Sequence, residues 1–340
     1  MPREKSINIL NKCNLFINRV VLLLLASFLA ACQPSGDAPI QRWQHAAEGA
    51  YAATISNDAQ ISVVSSIHHG ISVWDLNENA LKFTWSQQQN SADNLVLAID
   101  ISDNNSHALT ANRESFALWN IETGLSEGFW KIRESNIRDI AIANNGNYLL
   151  IGKSNGTVVH VTMNSGRRLE FLGHTEKINS VDMLPNGRIA ISGGNDFVAH
   201  VWDTQTGQVI YKFNHPSRVT KVALDPQGRY AFTADSKKDA NIWNLKTGKL
   251  IQNLKYTNRQ EVFSSIQFSA DGTQLLTGAP TRKVSLWSIG TGNRIKSWRV
   301  SPREDIRPAG AVVYSAAFRD NNSIITESSS GYAELWQLPN

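Results

Sequence analysis

The sequence predicts an all-β fold, a seven-bladed β-propeller, and three observations carry that expectation. A Trp-(Asp/Asn/Ser)-x-x-Thr-Gly pattern occurs at residues 119–124, 202–207, 243–248 and 287–292, with degenerate copies starting at Trp74, Val161 and Trp336. The seven starts lie 41 to 49 residues apart, close to the ~40–45-residue period of a propeller blade. Turn residues recur within each copy, and a segment near the N-terminus matches the piece that the last copy lacks.

Residues 1–31 stand apart from this domain. Arg3, Lys5, Lys12 and Arg19 surround or precede an apolar run over 20–29. A spanning helix needs about 18 or more apolar residues, so this shorter run reads as an export signal. It ends Leu29-Ala30-Ala31-Cys32, which resembles the lipobox of bacterial lipoproteins. The resemblance implies cleavage before Cys32, a diacylglycerol on its thiol and acylation of the new amine, palmitate being the expected acyl group. Two or more acyl chains, at about 0.8 kcal/mol per buried CH₂, give stable anchoring. Gln33 stands where an Asp in that family favours the inner membrane, so the expected site is the outer membrane, facing the periplasm. Cys13 leaves with the signal and Cys32 is then the remaining thiol, so no disulfide braces the domain. Residues 32–39 form a short linker and 40–340 the propeller.

Within the fifth copy, residues 220–225, 229–233 and 240–243 read as strands separated by Pro226-Gln-Gly228 and other turn residues, with Thr247-Gly248 as the next tight turn. Asn145-Gly146, Asn186-Gly187 and Asp271-Gly272 hold the first turn elsewhere. Glycine there supplies positive φ without a Cβ clash. These repeats resemble the WD40 family over about residues 40–340. The resemblance implies four antiparallel strands per blade, a to d from the axis outward, with each sequence repeat starting at strand d of the preceding blade. Strand d carries one bulky residue per copy: Trp85, Trp130, Leu172, Phe213, Leu254 and Trp298. The chain ends just after a strand c, so the last blade needs an outer strand from elsewhere. Residues 40–46, containing Trp43-Gln-His45, match Leu172-Gly-His174 and Phe213-Asn-His215 and are expected to close the ring.

His174, Ser192, Asp196 and Trp202 in the fourth copy contain the residue types of a nucleophile, base and orienting acid. The family resemblance implies instead a buried hydrogen-bond tetrad that braces one blade. Other copies place His68, Arg113, Asn155, Lys237, Thr281 and Ser330 at the Asp position, so apolar packing is expected to dominate there. Gly152-Lys-Ser154-Asn-Gly156 matches G-x-S-x-G but lies in a hairpin with no helix after it, unlike a nucleophile elbow. His68 and His69 are adjacent and point to opposite faces of a strand, which is poor metal-ligand spacing. No catalytic set, metal site or cofactor is expected, and the protein is read as non-enzymatic.

Charge is distributed unevenly. Residues 32–130 carry 3 basic and 11 acidic side chains, whereas 131–340 carry 26 and 17. The d–a and b–c loops share one rim, and on them fall Arg133, Lys153, Lys177, Arg218, Lys237, Lys238, Arg259, Arg282, Lys283, Arg303 and Arg307. This basic crescent is expected to dock an envelope protein with an acidic surface, on a propeller that is itself monomeric. Export and the absence of aromatic residues among the loop charges argue against nucleic acid. The alternatives are a ligand-binding or hydrolytic centre in the central channel, for which the sequence shows no convergent polar set, and binding of an anionic envelope polymer on the rim.

Overall fold

The computed structural model describes residues 38–66, 69–87, 95–256, 261–303 and 309–339. The export signal, Cys32, His68, Arg259 and Arg307 therefore lie outside the described residues. Among the described residues there is no helix, and the strands form seven four-stranded antiparallel sheets. In the order a, b, c, d, blade 1 is Ala50–Ile55, Ile61–Ser66, Gly70–Asp75 and Ala80–Trp85. Blade 2 is Ala98–Ile101, His107–Ala111, Ser115–Asn120 and Ser126–Lys131. Blade 3 is Ile137–Ala143, Tyr148–Lys153, Val158–Thr162 and Arg167–Phe171. Blade 4 is Ile178–Met183, Ile189–Gly194, Val198–Asp203 and Val209–Asn214. Blade 5 is Val219–Leu224, Tyr230–Asp235, Ala240–Asn244 and Leu250–Asn253. Blade 6 is Ser265–Phe268, Gln274–Gly278, Lys283–Ser288 and Arg294–Arg299. Blade 7 is Val313–Phe318, Ser323–Ser328, Tyr332–Gln337 and, as its outer strand, Gln41–Gln44. Strand a of each blade packs against strand a of the next, and that of blade 7 against blade 1, which completes a ring.

Burial explains why an alternating pattern is faint in the inner strands and clear in the outer ones. Strand b of blade 4, Ile189–Gly194, is buried almost throughout, because neighbouring blades cover both of its faces. Strand d, Val209–Asn214, exposes most of its residues and buries Phe213. The repeated Trp-(Asp/Asn/Ser)-x-x-Thr-Gly has a local cause in the c–d turn. Asp203 Oδ1 accepts the N–H groups of Gln205 and Thr206 at 2.9 Å each. Gly207 then takes φ of 73° and donates its N–H to the Asp203 carbonyl at 2.8 Å. Asn120 builds the same turn in blade 2, at 3.0 and 2.9 Å.

Three junctions carry an aromatic stack between strand d of one blade and strand c of the next. Phe171 lies on Trp202 with centroids 4.4 Å apart, Phe213 on Trp243 at 4.0 Å and Trp85 on Trp119 at 4.8 Å. The third blade uses Phe171 for this contact. Leu172, expected to be the bulky strand-d residue, is 73% exposed because strand d ends one residue earlier.

Ring closure uses a variation on the same stack. The N-terminal strand pairs antiparallel with Tyr332–Gln337, with Gln41 opposite Leu335 and Gln44 opposite Tyr332. His45 takes the aromatic place and stacks on Trp74 at 4.2 Å. Its Nδ1 lies 2.6 Å from Glu327 Oε1, which also accepts the Ser62 hydroxyl at 2.7 Å. Glu327 occupies the ladder position that Gly152, Gly193 and Gly278 hold in blades 3, 4 and 6. A Cβ on Gly193 would press on Val219 and Val222. In blade 1 those two positions are Ala50 and Ala53, and the lost volume makes room for the carboxylate.

Burial opposes a charged imidazole at His45, but Glu327 outweighs it and raises the pKa above the ordinary 6.5. The clasp is therefore at full strength below about pH 6.5 and weakens as pH climbs through the raised value. Denaturant unfolding between pH 5.5 and 8.5 should show stability falling with pH, and His45→Gln should remove part of that slope. An unchanged slope in the variant would locate the dependence elsewhere.

Candidate functional site

Three places gather functional side chains: the axis, the blade 4 tetrad position and the rim of b–c and d–a loops. At the axis, strand a is a free edge in all seven sheets, and its N–H groups need acceptors. Side chains from the preceding blade supply them. Asp100 Oδ2 accepts Ile142 N–H at 2.9 Å, Asp139 Oδ2 accepts Val181 N–H at 3.0 Å and Asp182 Oδ2 accepts Leu224 N–H at 2.7 Å. Gln267 Oε1 does the same for Phe318 at 2.7 Å, and Ser315 Oγ for Ile55 at 3.1 Å. Blade 5 offers Lys221, a cation that cannot accept. Its junction with blade 6 is made instead by Arg229, whose Nη1 donates to the Ala270 carbonyl at 3.0 Å. Blades 1 and 2 are joined through their a–b turns, Asn57 to Asp103 and Asn105 to Asp58, at 2.7 Å each.

The cavity on this axis has a volume of about 200 Å³. Burial raises the Asp182 carboxyl to about 7, although the N–H groups of Leu224 and Met183 pull it down. Burial, and then the Asp182 charge, holds Asp100 well above its ordinary value. Sequence reasoning found no polar set here. The signal was present as Asp100, Asp139 and Asp182 spaced 39 and 43 residues apart, but the register of each strand a hid it. Each acceptor is already engaged by a neighbour's backbone, so the set is a structural seam.

At the tetrad position, His174 Nδ1 meets the Asp196 carboxylate at 2.9 and 3.1 Å, and Nε2 meets Ser192 Oγ at 2.9 Å. Burial pushes the Asp196 carboxyl up, but His174 outweighs it and holds the pKa below the ordinary value. Trp202 does not join the hydrogen-bond chain. Its Nε1 is buried without an acceptor among the described residues, and the indole is held by its stack on Phe171. The other blades are less apolar than expected. Trp119, Trp243, Trp287 and Trp336 donate to Thr110, Thr233, Thr277 and Thr326 at 2.8 to 3.1 Å, and His215 Nε2 also bonds Thr233 at 2.9 Å.

Antiparallel order puts the b–c and d–a connections at one end of the ring. Arg133, Lys177, Arg218, Lys237 and Lys238 are exposed there. Arg282 is half-buried and donates Nε–H to the Val300 carbonyl at 2.8 Å, while Lys283 pairs with buried Glu261 at 3.0 Å. Arg303 donates to the Glu48 carbonyl. Lys153 departs from the expected rim, because strand b of blade 3 runs through it and leaves it 1% exposed. Arg259 and Arg307 lie outside the described residues.

Phe197, which sequence reasoning passed over, lies in this rim and is 50% exposed with φ of 69°. Its carbonyl accepts His215 N–H at 2.8 Å, just as Gly331 accepts His45 N–H at 2.9 Å in blade 7. Gly331 takes positive φ freely, whereas a bulky residue there costs about 1–2 kcal/mol. Two residues earlier, Asn195 N–H reaches the Lys177 carbonyl at 2.9 Å. Phe197 thus stands between the loops that carry Lys177 and Arg218.

Residues 166–203 and 207–244 match the family model described as WD domain, G-beta repeat, so WD40 repeats are present in blades 3 to 5. The chain is 25% identical over 163 residues to WD repeat-containing protein SL1-17 of Schistosoma mansoni, covering 48% of this chain and 53% of that protein. It is 26% identical over 161 residues to autophagy-related protein 16 of Arabidopsis thaliana, covering 46% and 30%. An uncharacterized WD repeat-containing protein of Synechocystis sp. is 33% identical over 78 residues, 22% of each chain. The match therefore spans about half the length of the first relative and less of the other two.

A carboxyl that is easier to protonate in the folded state adds stability at low pH and loses it as pH rises. Asp182, moving from 3.8 to about 7, should make the ring less stable between pH 4 and 7. Replacing it by Asn should flatten that part of the profile, measured by urea unfolding at pH 5 and 7.5. Asp182→Ala, which strips the acceptor from Leu224, should cost about 1–3 kcal/mol at pH 5; a neutral effect of Ala would refute the seam.

Proposed function

We propose that the chain is a non-enzymatic scaffold of the bacterial cell envelope, anchored to a membrane by lipid on Cys32, which docks a protein with an acidic surface on its b–c and d–a rim. The observation that carries the reading is Phe197. An aromatic side chain exposed on a loop, held at a backbone cost that glycine would avoid, serves contact better than folding. The cations of Lys177, Arg218, Lys237 and Lys238 on the same rim favour an acidic partner and steer its approach. A rigid ring presents these loops at little extra entropic cost. WD40 repeats fit an interaction role.

The axis supports this role less well. Its cavity is smaller than the ~300–1,000 Å³ common for ligand sites, and its carboxyl groups are occupied by backbone N–H groups. Anchoring rests on the lipobox-like Leu29-Ala30-Ala31-Cys32 after a ten-residue apolar run. In the order a to d, strand d delivers the chain from the a–b turns toward the rim.

A photo-crosslinking residue at Phe197 or Lys237 should give a discrete protein adduct in cells, whereas probes at Asn145 and Asp271 in the a–b turns should give none. Phe197→Gly should abolish the adduct formed from Lys237 while leaving stability within about 1 kcal/mol. Adducts from both faces, or from neither, would overturn the docking surface. Separately, Cys32→Ala should shift the protein from the membrane to the soluble fraction. Continued membrane association would remove the lipid from the account.

A further inference from the structure

Blade 5 departs from blade 4 at one point. In blade 4 the d–a histidine is saturated, with Nδ1 on Asp196 and Nε2 on Ser192. His215 holds the same place in blade 5 and bonds Thr233 through Nε2 at 2.9 Å, but its Nδ1 has no partner among the described residues. The position corresponding to Asp196 is Lys237. Two other carboxylates approach from the b–c turn: Asp235, at the end of strand b, and Asp239, just before strand c. One ligand atom from each of His215, Asp235 and Asp239 lies within 4.8 Å of the others.

Asp235 is fully buried and divided in its duties. Its Oδ1 accepts the N–H groups of Lys237, Lys238 and Asp239 at 2.8, 2.9 and 3.0 Å, which fixes the turn. Its Oδ2 is buried without a partner among the described residues. Two buried side chains, each with one orphaned atom, thus lie beside the half-buried carboxylate of Asp239. Leaving buried polar groups unmet costs free energy unless something fills the space between them. The two loops are braced by a Ser217–Ser236 hydroxyl contact of 2.8 Å and by Ser236 N–H on the Arg218 carbonyl at 3.0 Å.

We propose that His215 Nδ1, Asp235 Oδ2 and a carboxylate oxygen of Asp239 bind one divalent transition-metal ion of the zinc or manganese class, with solvent completing the coordination beside Asp239. A mixed imidazole and carboxylate set suits these ions. Two carboxylates and a neutral imidazole supply a charge of −2, matching the ion. Thr233, which also accepts Trp243 Nε1–H at 2.8 Å, orients the ring through Nε2. The hydroxyl takes the place of the carboxylate, carbonyl or water that accepts the second ring N–H of most metal-bound histidines. Bound metal would pin the turn bearing Lys237 and Lys238 whether or not the rim docks a protein.

The test is titration of the full chain, stripped with a chelator, with Zn²⁺ in competition with a chromophoric chelator. Wild type should bind one equivalent through this site. Asp235→Asn, which keeps the turn acceptor, and Asp239→Asn should each weaken that equivalent by more than about 100-fold. Asp196→Asn in blade 4 should leave it intact. X-ray absorption should show nitrogen and oxygen around the metal and no sulfur. No binding at micromolar zinc, equal binding in both Asn variants, or sulfur ligation through the cysteines would overturn the site. If Asp235→Asn fails to fold by circular dichroism, Asp239→Asn on the half-buried turn decides alone.

Discussion

Every sheet among the described residues begins with an edge at the axis, and the N–H groups of that edge need acceptors. Five of the seven junctions meet this constraint by borrowing a side chain from the preceding blade: Asp100, Asp139, Asp182, Gln267 or Ser315. Each bond ties one sheet to the backbone of the next and so fixes the spacing of the blades. It also commits the axial carboxylates. An acid with its oxygen on a fixed backbone N–H is poorly placed to turn to a substrate, and this is why chemistry at the axis is the weaker reading.

The second requirement is closure. Six blades are built from consecutive chain, but blade 7 takes its outer strand from residues some 300 positions away. Such a pairing carries a large loop-closure entropy, and the junction is reinforced accordingly. At three other junctions the interface is an aromatic ring stacked on tryptophan. At the closing junction it is His45 on Trp74, with a buried carboxylate from Glu327 held in room created by Ala50 and Ala53. The exchange of Gly and Val for Glu and Ala conserves volume while substituting charge for apolar contact. Such a pair is costly to break once formed, because either partner alone would be left buried and uncompensated.

What could be read in the sequence was local, and what could not was long-range. The c–d turn was legible because Asp203, Thr206 and Gly207 satisfy one another within five residues. The seven-fold period followed from that turn's recurrence. The axial seam was illegible because its bonds join residues 42 apart in blades 2 to 4, and because the acceptor changes type from Asp to Gln to Ser around the ring. Lys153 was misplaced since Gly152-Lys-Ser154-Asn-Gly156 has the composition of a turn, although the strand continues through Lys153. A more widespread link, tryptophan to threonine, recurs in four blades where the Asp of the tetrad is absent, and it joins residues nine or ten apart on neighbouring strands.

Positive φ outside glycine and orphaned buried atoms occur in several blades, among them Ala59, Asn79 and Arg282 and the side chains of Ser65, Trp74 and Trp298. Residues 166–244, which contain the two stretches that match the repeat family, also hold Phe197 at positive φ, the orphaned atoms of His215 and Asp235, and the exposed pair Lys237 and Lys238. A regular blade has stability to spare in its strands: both neighbours cover it, its turns are self-satisfied and its tryptophan is stacked. Strain of about 1–2 kcal/mol in one turn and two unmet polar atoms in the next can be tolerated there without loss of the fold. What sets the loops of blades 4 and 5 apart is that an exposed aromatic side chain, an exposed pair of cations and the His215, Asp235 and Asp239 cluster occur there together.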